Sequence, residues 1–440
     1  MKRLLFKELV NWKNSNLRKP LLLQGARQVG KTFLITEFGK SEFKHYVYLN
    51  FEQTPHLKSL FADDLSPTQI IENIGLYKGE KIDPEETLII FDEIQIAPQA
   101  ITSLKYFYEQ APEYYVIAAG SLLGVSVGKT SSFPVGKVAF MTLYPMTFHE
   151  YLLAFDEELI ANSILNIKEI ISLPELLHSK LMKLFKLYLY LGGMPEVVQD
   201  FVNHGDIASV RRIQNEILEA YSRDFSKHTD KAQAVKTAEL WSSIPAQLAR
   251  ENKKFKYGDV RKGGRTSSFE QTIQWLKGAG LVNVVYNISK PGLPLAGYAN
   301  YSMFKIYLFD TGLLGAMLKI NSEIIIKPTQ IFAEYNGAFI ENIITSELVA
   351  AGEKELFYWT SKSDAEVDYL VENRNAVYPI EVKSGSSRNL RSLRSYAEKY
   401  NPRLIIRLSP RNFIRDGPFL NIPLYAAFAL RNIIGKQIDL

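Results

Sequence analysis

The sequence predicts an α/β protein organised on a parallel sheet, with further segments built after it. Three observations carry that expectation. Residues 25–32 read Gly25-Ala26-Arg27-Gln28-Val29-Gly30-Lys31-Thr32, the pattern G-x-x-x-x-G-K-T. A short apolar run precedes them at 20–24, and Phe33, Leu34, Ile35 and Phe38 follow at helical spacing. A second apolar run, 87–91, ends in the acids Asp92-Glu93.

The first segment is expected over residues 1–143. A strand that turns through glycines into a helix forms a nest of backbone N–H groups at the helix N-terminus, which suits a phosphate. Lys31 would then reach the β/γ-phosphates, and the Thr32 hydroxyl would coordinate Mg²⁺. Residues 46–50 read as a second strand and 57–77 as mainly helical. The run ending in Asp92-Glu93 is a Walker-B pattern, because a buried strand presents its last side chains at the carboxyl edge of the sheet. Asp92 would hold Mg²⁺ through water, and Glu93 would polarise the attacking water. Residues 114–121 form a further apolar run ending at Ser121. In additional-strand ATPases such a strand lies between the other two. Ser121 is either a polar sensor of the γ-phosphate or a helix cap.

Composition sets outer bounds. The 440 residues exceed one hydrophobic core, so several domains are expected. The chain has no cysteine, which excludes disulfides, thiolate metal sites and cysteine nucleophiles. A net charge of +5 permits nucleic-acid binding without requiring it. Residues 1–12 do not read as a targeting segment, and no apolar run is long enough to span a bilayer. The expectation is a cytoplasmic protein without a membrane partner.

Residues 144–230 read as helix-rich. Thr147 and Glu150 form a capping box, and Gly192-Gly193-Met194-Pro195 ends one helix and starts another. Residues 231–330 read as helix, turn, helix and strand pair, a winged-helix pattern. Lys253, Lys254, Lys256, Arg261, Lys262 and Arg265 give it a basic edge, which is either a DNA contact or a solvated loop. Asp310 is expected to cap the helix that follows it.

Residues 331–440 carry a second constellation. A helix at 334–348 places Glu341 beside its apolar face. Residues 366–371 and 377–383 alternate as strands do, with Glu381 and Lys383 on one face. Glu341, Asp368 and Glu381 could bind one or two Mg²⁺ ions, with Lys383 steadying a water or a scissile phosphate. The alternative is an exposed, salt-bridged hairpin. Arg388, Arg391 and Arg394 then recur on a helix, as a phosphate-tracking face or a solvated one, and Arg403, Arg407, Arg411 and Arg415 continue the basic trend.

These motifs together resemble an AAA-type prokaryotic ATPase family, in the branch that includes archaeal-type and signal-transduction ATPases. The match rests on Gly25 to Thr32, Ile90-Phe91-Asp92-Glu93-Ile94-Gln95, Gly120-Ser121 and the Gly192-Gly193-Met194-Pro195 loop, which is similar to the glycine-x-proline loop of that branch's helical lid. The last third resembles the domain of unknown function that commonly follows this ATPase. That domain is similar to restriction-endonuclease-like PD-(D/E)xK folds, with Glu341, Asp368, Glu381 and Lys383 on the motif positions. The resemblance implies an ATPase core (1–143), a helical lid (144–230), a winged-helix-like domain (231–330) and a nuclease-like domain (331–440). It implies ATP and Mg²⁺ as ligands and an ATP-hydrolysing switch. An ATP-gated nuclease acting on DNA or RNA, or a nucleotide-regulated binding protein with an inactive nuclease fold and a protein or DNA partner, are the alternatives; an oligomer is compatible with all three. One departure stands out. The resemblance implies that many relatives carry an arginine where this chain has Gly136-Lys137, which leaves the arginine finger unassigned and Arg223 a candidate by position alone.

Overall fold

The strands at 21–24, 87–92 and 115–120 are apolar on both faces because helices cover both sides of the sheet they build. The computed structural model describes residues 1–62, 64–121, 123, 133–228, 231–250, 253–264, 266–321, 333–361, 365–385 and 390–438. It divides into two units, one of residues 2–144 with 278–280, the other of residue 1 with 145–277 and 281–440.

The first unit runs α1 (Leu5–Lys13), β1 (Leu21–Gln24), α2 (Lys31–Glu42), β2 (His45–Asn50), α3 (Pro67–Lys78), β3 (Thr87–Asp92), α4 (Pro98–Gln110), β4 (Tyr115–Gly120) and β5 (Ala139–Thr142). All five strands are parallel, in the order β2-β3-β4-β1-β5. Parallel neighbours need crossovers, and α2, α3 and α4 provide them. Leu21, Leu22, Leu23, Ile89, Ile90 and Ile117 are wholly buried, which explains their unbroken apolar runs. β4 lies between β3 and β1, so the carboxyl ends of all three stand side by side. The edge strand β5 was not read from the sequence; only four residues long, it is half-exposed, so no apolar run marks it.

The second unit begins with α5 (Phe148–Ala154), α6 (Glu158–Leu165), α7 (Glu175–Leu191), α8 (Pro195–His204), α9 (Ile207–His228), α10 (Lys231–Leu248), α11 (Tyr257–Val260) and α12 (Thr266–Gly278). The expected capping box at Thr147 and Glu150 is present in both directions. Gly192 and Gly193 separate α7 from α8, and they do more than punctuate. Buried Asp310 accepts the Gly193 N–H (2.6 Å) and also caps α13 (Thr311–Met317) through the Leu313 N–H (2.9 Å). A Cβ on Gly192 would lie 2.4 Å from the Asp310 carboxylate, and one on Gly193 2.2 Å from the Met146 carbonyl. One carboxylate thus fastens two helix starts, and both glycines are sterically required.

The remaining elements are β6 (Val282–Ile288), β7 (Asn300–Leu308), α14 (Ala333–Ala350), β8 (Leu356–Thr360), β9 (Glu366–Asn373), β10 (Ala376–Val382), α15 (Arg391–Tyr400), β11 (Ile405–Ser409), β12 (Ile414–Asp416), β13 (Phe419–Pro423) and α16 (Leu430–Ile438). Their eight strands form one mixed sheet, β12-β13-β11-β10-β9-β8-β6-β7. The helix pair expected in 231–330 is present, but its strand pair β6–β7 joins the C-terminal strands through the parallel pairing of β6 with β8. Segments 231–330 and 331–440 therefore share a sheet. β10 is buried from Tyr378 to Val382, so the hairpin is not the half-exposed one that alternation alone would allow. Arg265 and Arg388 lie outside the described residues, as do residues 322–332 around the expected boundary. No described helix is long and apolar enough to cross a membrane.

Glu347 of α14 is 2% exposed and accepts the N–H of Phe148 at the start of α5 (2.7 Å). Burial, reinforced by the nearby Glu150, outweighs that bond and the Tyr188 phenol, and pushes its pKa up from 4.5 to about 8. A raised folded-state pKa stabilises the fold fully below about 4.5, and the contribution is lost as pH rises towards 8. Glu347→Gln keeps an acceptor for Phe148 and removes the titration. Urea melts from pH 5 to pH 8 are expected to show a flatter pH dependence in the variant, and greater stability than wild type at pH 8. Parallel curves would overturn this.

Candidate functional site

The candidate site lies at the carboxyl edge of the first unit's sheet and is built by its backbone first. Gly25 leaves β1 at φ 149°, where a Cβ would fall 2.2 Å from the Leu143 carbonyl. Gly30 turns into α2 at φ 92°, and Gln28 between them also adopts positive φ. No side-chain cap serves the α2 N-terminus, so its N–H groups stay directed at a ligand. Arg3, which sequence reading missed, donates from below to the carbonyls of Val29 (2.7 Å) and Tyr144.

Lys31 folds over this loop and donates to the carbonyls of Gly25 (2.9 Å) and Ala26 (2.8 Å). Burial lowers its pKa to about 8, opposed by Glu93 and Asp92 and assisted by Arg27. It is therefore charged at neutral pH, and an arriving anion would hold it so. The Thr32 hydroxyl donates to Asp92 Oδ2 (2.7 Å). The Tyr48 hydroxyl donates to the same oxygen (2.7 Å) and in turn accepts from Asn50 (3.0 Å). Tyr48 was not foreseen; alternation along β2 places it with Asn50, and the register pairs Asn50 with Asp92. The second Asp92 oxygen accepts the Glu93 N–H (2.9 Å).

Glu93 has a left-handed backbone (φ 52°, ψ 40°), which costs a side-chain-bearing residue on the order of 1 kcal/mol. The strain turns its carboxylate away from the strand and onto the Gln95 amide, which donates to it. Burial pushes its pKa up, against the Gln95 bond and the Lys31 and Arg27 charges. Ser121, 4% exposed, accepts from Arg27 Nε (3.4 Å). The residues expected from sequence for this site, Gly25 to Thr32, Asp92, Glu93 and Ser121, thus meet along one edge. The Thr32 hydroxyl and Asp92 carboxylate, already in contact, are an oxygen pair suited to a hydrated Mg²⁺.

Of the two positions considered for an arginine finger, Lys137 lies in the first unit. Lys137 precedes β5, whose first N–H bonds to the carbonyl of Pro20 before β1. It therefore sits at the amino edge, opposite the phosphate loop, and pairs with Glu109 (3.1 Å). Arg223, in the other unit, is exposed and pairs with Glu219 on its own helix (2.6 Å).

The C-terminal acids also gather, but lysines accompany them. Glu341 on α14 is bonded by Lys253 on one oxygen and by the Tyr307 hydroxyl on the other (2.7 Å). Lys305, 1% exposed on β7, pairs with Glu366 and stands 4.0 Å from Glu341. Asp368 accepts the Val382 N–H (2.7 Å), and Lys383 pairs with Glu381 (2.5 Å). Four carboxylates thus meet three ammonium groups. Burial first, then Glu341, raises Asp368 to about 7, close to taking up the proton that balances the cluster. Among the described residues no group of three or more His, Cys, Asp or Glu side chains is placed to hold a metal ion. A shared ion on Glu341, Asp368 and Glu381 was the expectation; in this geometry the cation on Glu341 is Lys253. Lys305 escaped sequence reading, although a lysine inside the apolar run Phe304–Leu308 was a visible signal.

Fold and edge together give the first unit a P-loop ATPase fold. Residues 17–152 match the AAA domain family. Residues 182–324 and 336–425 match two domains of unknown function (DUF8612 and DUF4143). Uncharacterized protein Rv2008c of Mycobacterium tuberculosis and Mb2031c of Mycobacterium bovis are each 34% identical over 93 residues, 21% of this chain. The match spans only 20% of the length of those relatives. Among solved structures, the Walker-type ATPase PABY2304 of Pyrococcus abyssi is 13% identical over 72% of this chain and 95% of its own, with a TM-score of 0.44. AMPPCP-bound DnaA from Aquifex aeolicus is 12% identical over 62% of this chain and 86% of its own, with a TM-score of 0.28.

Lys31→Ala removes the phosphate-facing charge without opening the core. Titration calorimetry is expected to show ATP binding abolished while the thermal melt stays near wild type. Unchanged affinity would overturn the site.

Proposed function

We propose that the protein is an Mg²⁺-dependent ATP-binding and ATP-hydrolysing switch whose second unit is its output. The observation that carries this reading is the Thr32–Asp92 contact (2.7 Å) beside the Lys31 loop, with Glu93 next in sequence. Phosphoryl transfer needs mostly positioning and charge neutralisation, and these side chains supply both. Loop amides and Lys31 hold phosphate oxygens. Thr32 and Asp92 would hold Mg²⁺, which when bound neutralises phosphate charge. Glu93 orients the attacking water and is released from Gln95 to do so. ADP and phosphate leave, and the emptied loop lets Lys31 return to its own carbonyls.

For the output, one observation favours binding over cutting. Lys253 and Tyr307 occupy both oxygens of Glu341, and Lys305 neutralises the acids behind it. The second unit is then a nucleotide-regulated module that engages DNA, RNA or a protein without cleaving it. Supercoiled plasmid incubated with Mg²⁺ is expected to stay intact. Nicking that Asp368→Asn with Glu381→Gln abolishes would restore the nuclease reading.

The chemistry of the first unit is tested by Glu93→Gln. It should keep ATP bound and slow turnover by at least about a hundredfold, the size of a lost water-activating group. Asp92→Asn should instead weaken the Mg²⁺-dependent part of binding. A Glu93→Gln enzyme that turns over normally would remove Glu93 from the mechanism.

A further inference from the structure

The γ-phosphate end of the site lacks an assigned arginine, since Lys137 lies at the opposite edge of the sheet, committed to Glu109. The phosphate loop itself contains one. Arg27 is half-buried, and its Nε donates to Ser121 at the end of β4 (3.4 Å). Its charge is also felt by Glu93 and by Lys31. Glu93 is the group proposed to orient the attacking water, and Ser121 stands at the end of the neighbouring strand, where a polar sensor of the terminal phosphate would sit. Arg27 therefore reaches past the loop amides, towards the end of the nucleotide where charge develops.

The strand order explains why it can. β4 lies directly beside β1, and Gln24 is in register with Gly120, so the residues that follow, Gly25 to Arg27 and Ser121, are neighbours. The Gln95 side-chain oxygen Oε1 occupies the space beside Gly120 that a Cβ would need, 2.3 Å from its position, and is buried without a hydrogen-bond partner among the described residues. Glu93, Gln95, Gly120, Ser121 and Arg27 thus form one continuous surface around the place of the terminal phosphate.

We infer that Arg27 is a catalytic residue acting in cis, the guanidinium that stabilises charge on the transferring γ-phosphoryl group. The inference rests on the ATPase reading. The bond between the γ-phosphorus and its bridging oxygen breaks, water oxygen adds to phosphorus, and the water proton leaves by way of Glu93. Arg27 exchanges Ser121 for a γ-phosphate oxygen, and its fork suits two of them. An arginine in this role is worth about 10³–10⁵ in rate. Because it belongs to the same chain, hydrolysis does not depend on a second copy's arginine.

The test is steady-state ATP turnover of the full chain, wild type beside Arg27→Ala, Arg27→Lys and Glu93→Gln, with MgATP affinity by calorimetry and a thermal melt for each. Arg27→Ala should lower kcat at least about a hundredfold while KM and affinity change by no more than about threefold, since Lys31 and the loop amides supply ground-state binding. Arg27→Lys should fold and bind, yet recover little of the rate, because an ammonium lacks the fork. Wild-type kcat should be constant over a roughly hundredfold range of protein concentration. Should Arg27→Ala prove unstable, Arg27→Lys decides alone. Near-wild-type kcat in Arg27→Lys and Arg27→Ala, with Glu93→Gln inactive, would overturn the inference and leave the ATPase reading standing. So would a wild-type kcat that climbs steeply with protein concentration. No turnover by wild type would overturn both.

Discussion

Asp92 is a carboxylate 1% exposed, placed at the end of a strand whose other residues are all buried. Burying an ionised carboxylate is costly unless its lone pairs are occupied. Here three donors occupy them: Thr32 from α2, Tyr48 from β2 and the N–H of Glu93. Each donor comes from a different part of the first unit. Satisfying one charge therefore fixes the helix that carries the phosphate loop, an edge strand and the turn after β3 relative to one another. The left-handed backbone at Glu93 sits directly after this anchored carboxylate and redirects the chain out of β3. The strain is local, and what it yields is a carboxylate held beside the phosphate loop.

The second unit meets the same cost differently. Its acids are neutralised by lysines delivered from β7, from the turn after α10 and from the end of β10. A buried ion pair contributes little net stability against a well-packed apolar alternative, but removing one partner is expensive. The Lys253–Glu341 and Lys305–Glu366 pairs therefore tie the helix pair of 231–278 and the strand β7 to the sheet of β8–β13. They cross-link a sheet that β6 and β8 already join by backbone pairing, across the boundary expected between the winged-helix-like and nuclease-like domains.

Much of the first unit was legible because its signals are local. A glycine loop between an apolar run and a helix, and an apolar run ending in two acids, are dictated by covalent neighbours, and the structure has a strand, a loop and a helix at the first and a buried strand ending in Asp92 at the second. What was missed is non-local. Arg3, Tyr48 and Lys253 acquire roles from contacts far along the chain, which no spacing rule reports. β5 and β12 are short and partly exposed, so their patterns do not rise above those of loops. In the second unit the co-facial Glu381 and Lys383 were read correctly, because period two along a strand is local. The countercharges were not, because Lys305 lies in a segment that the sequence assigned to a different domain.

The position of Lys137 shows how topology limits function. In a parallel sheet every strand has its carboxyl end at one edge, so residues just before a strand face the other edge. A cation placed before β5 is thus separated from the phosphate loop by the length of β1. Basic residues close to the γ-phosphate must follow β1, β3 or β4, or come from another unit or another copy. Among the described residues that directly follow those three strands, Arg27 and Lys31 are the cations. Lys31 emerges at the helix start and covers the loop, whereas Arg27 is directed to Ser121 at the end of β4. On the proposed reading, a first unit arranged this way would supply from one chain both the cation that binds the nucleotide and the cation that meets the charge developing on it.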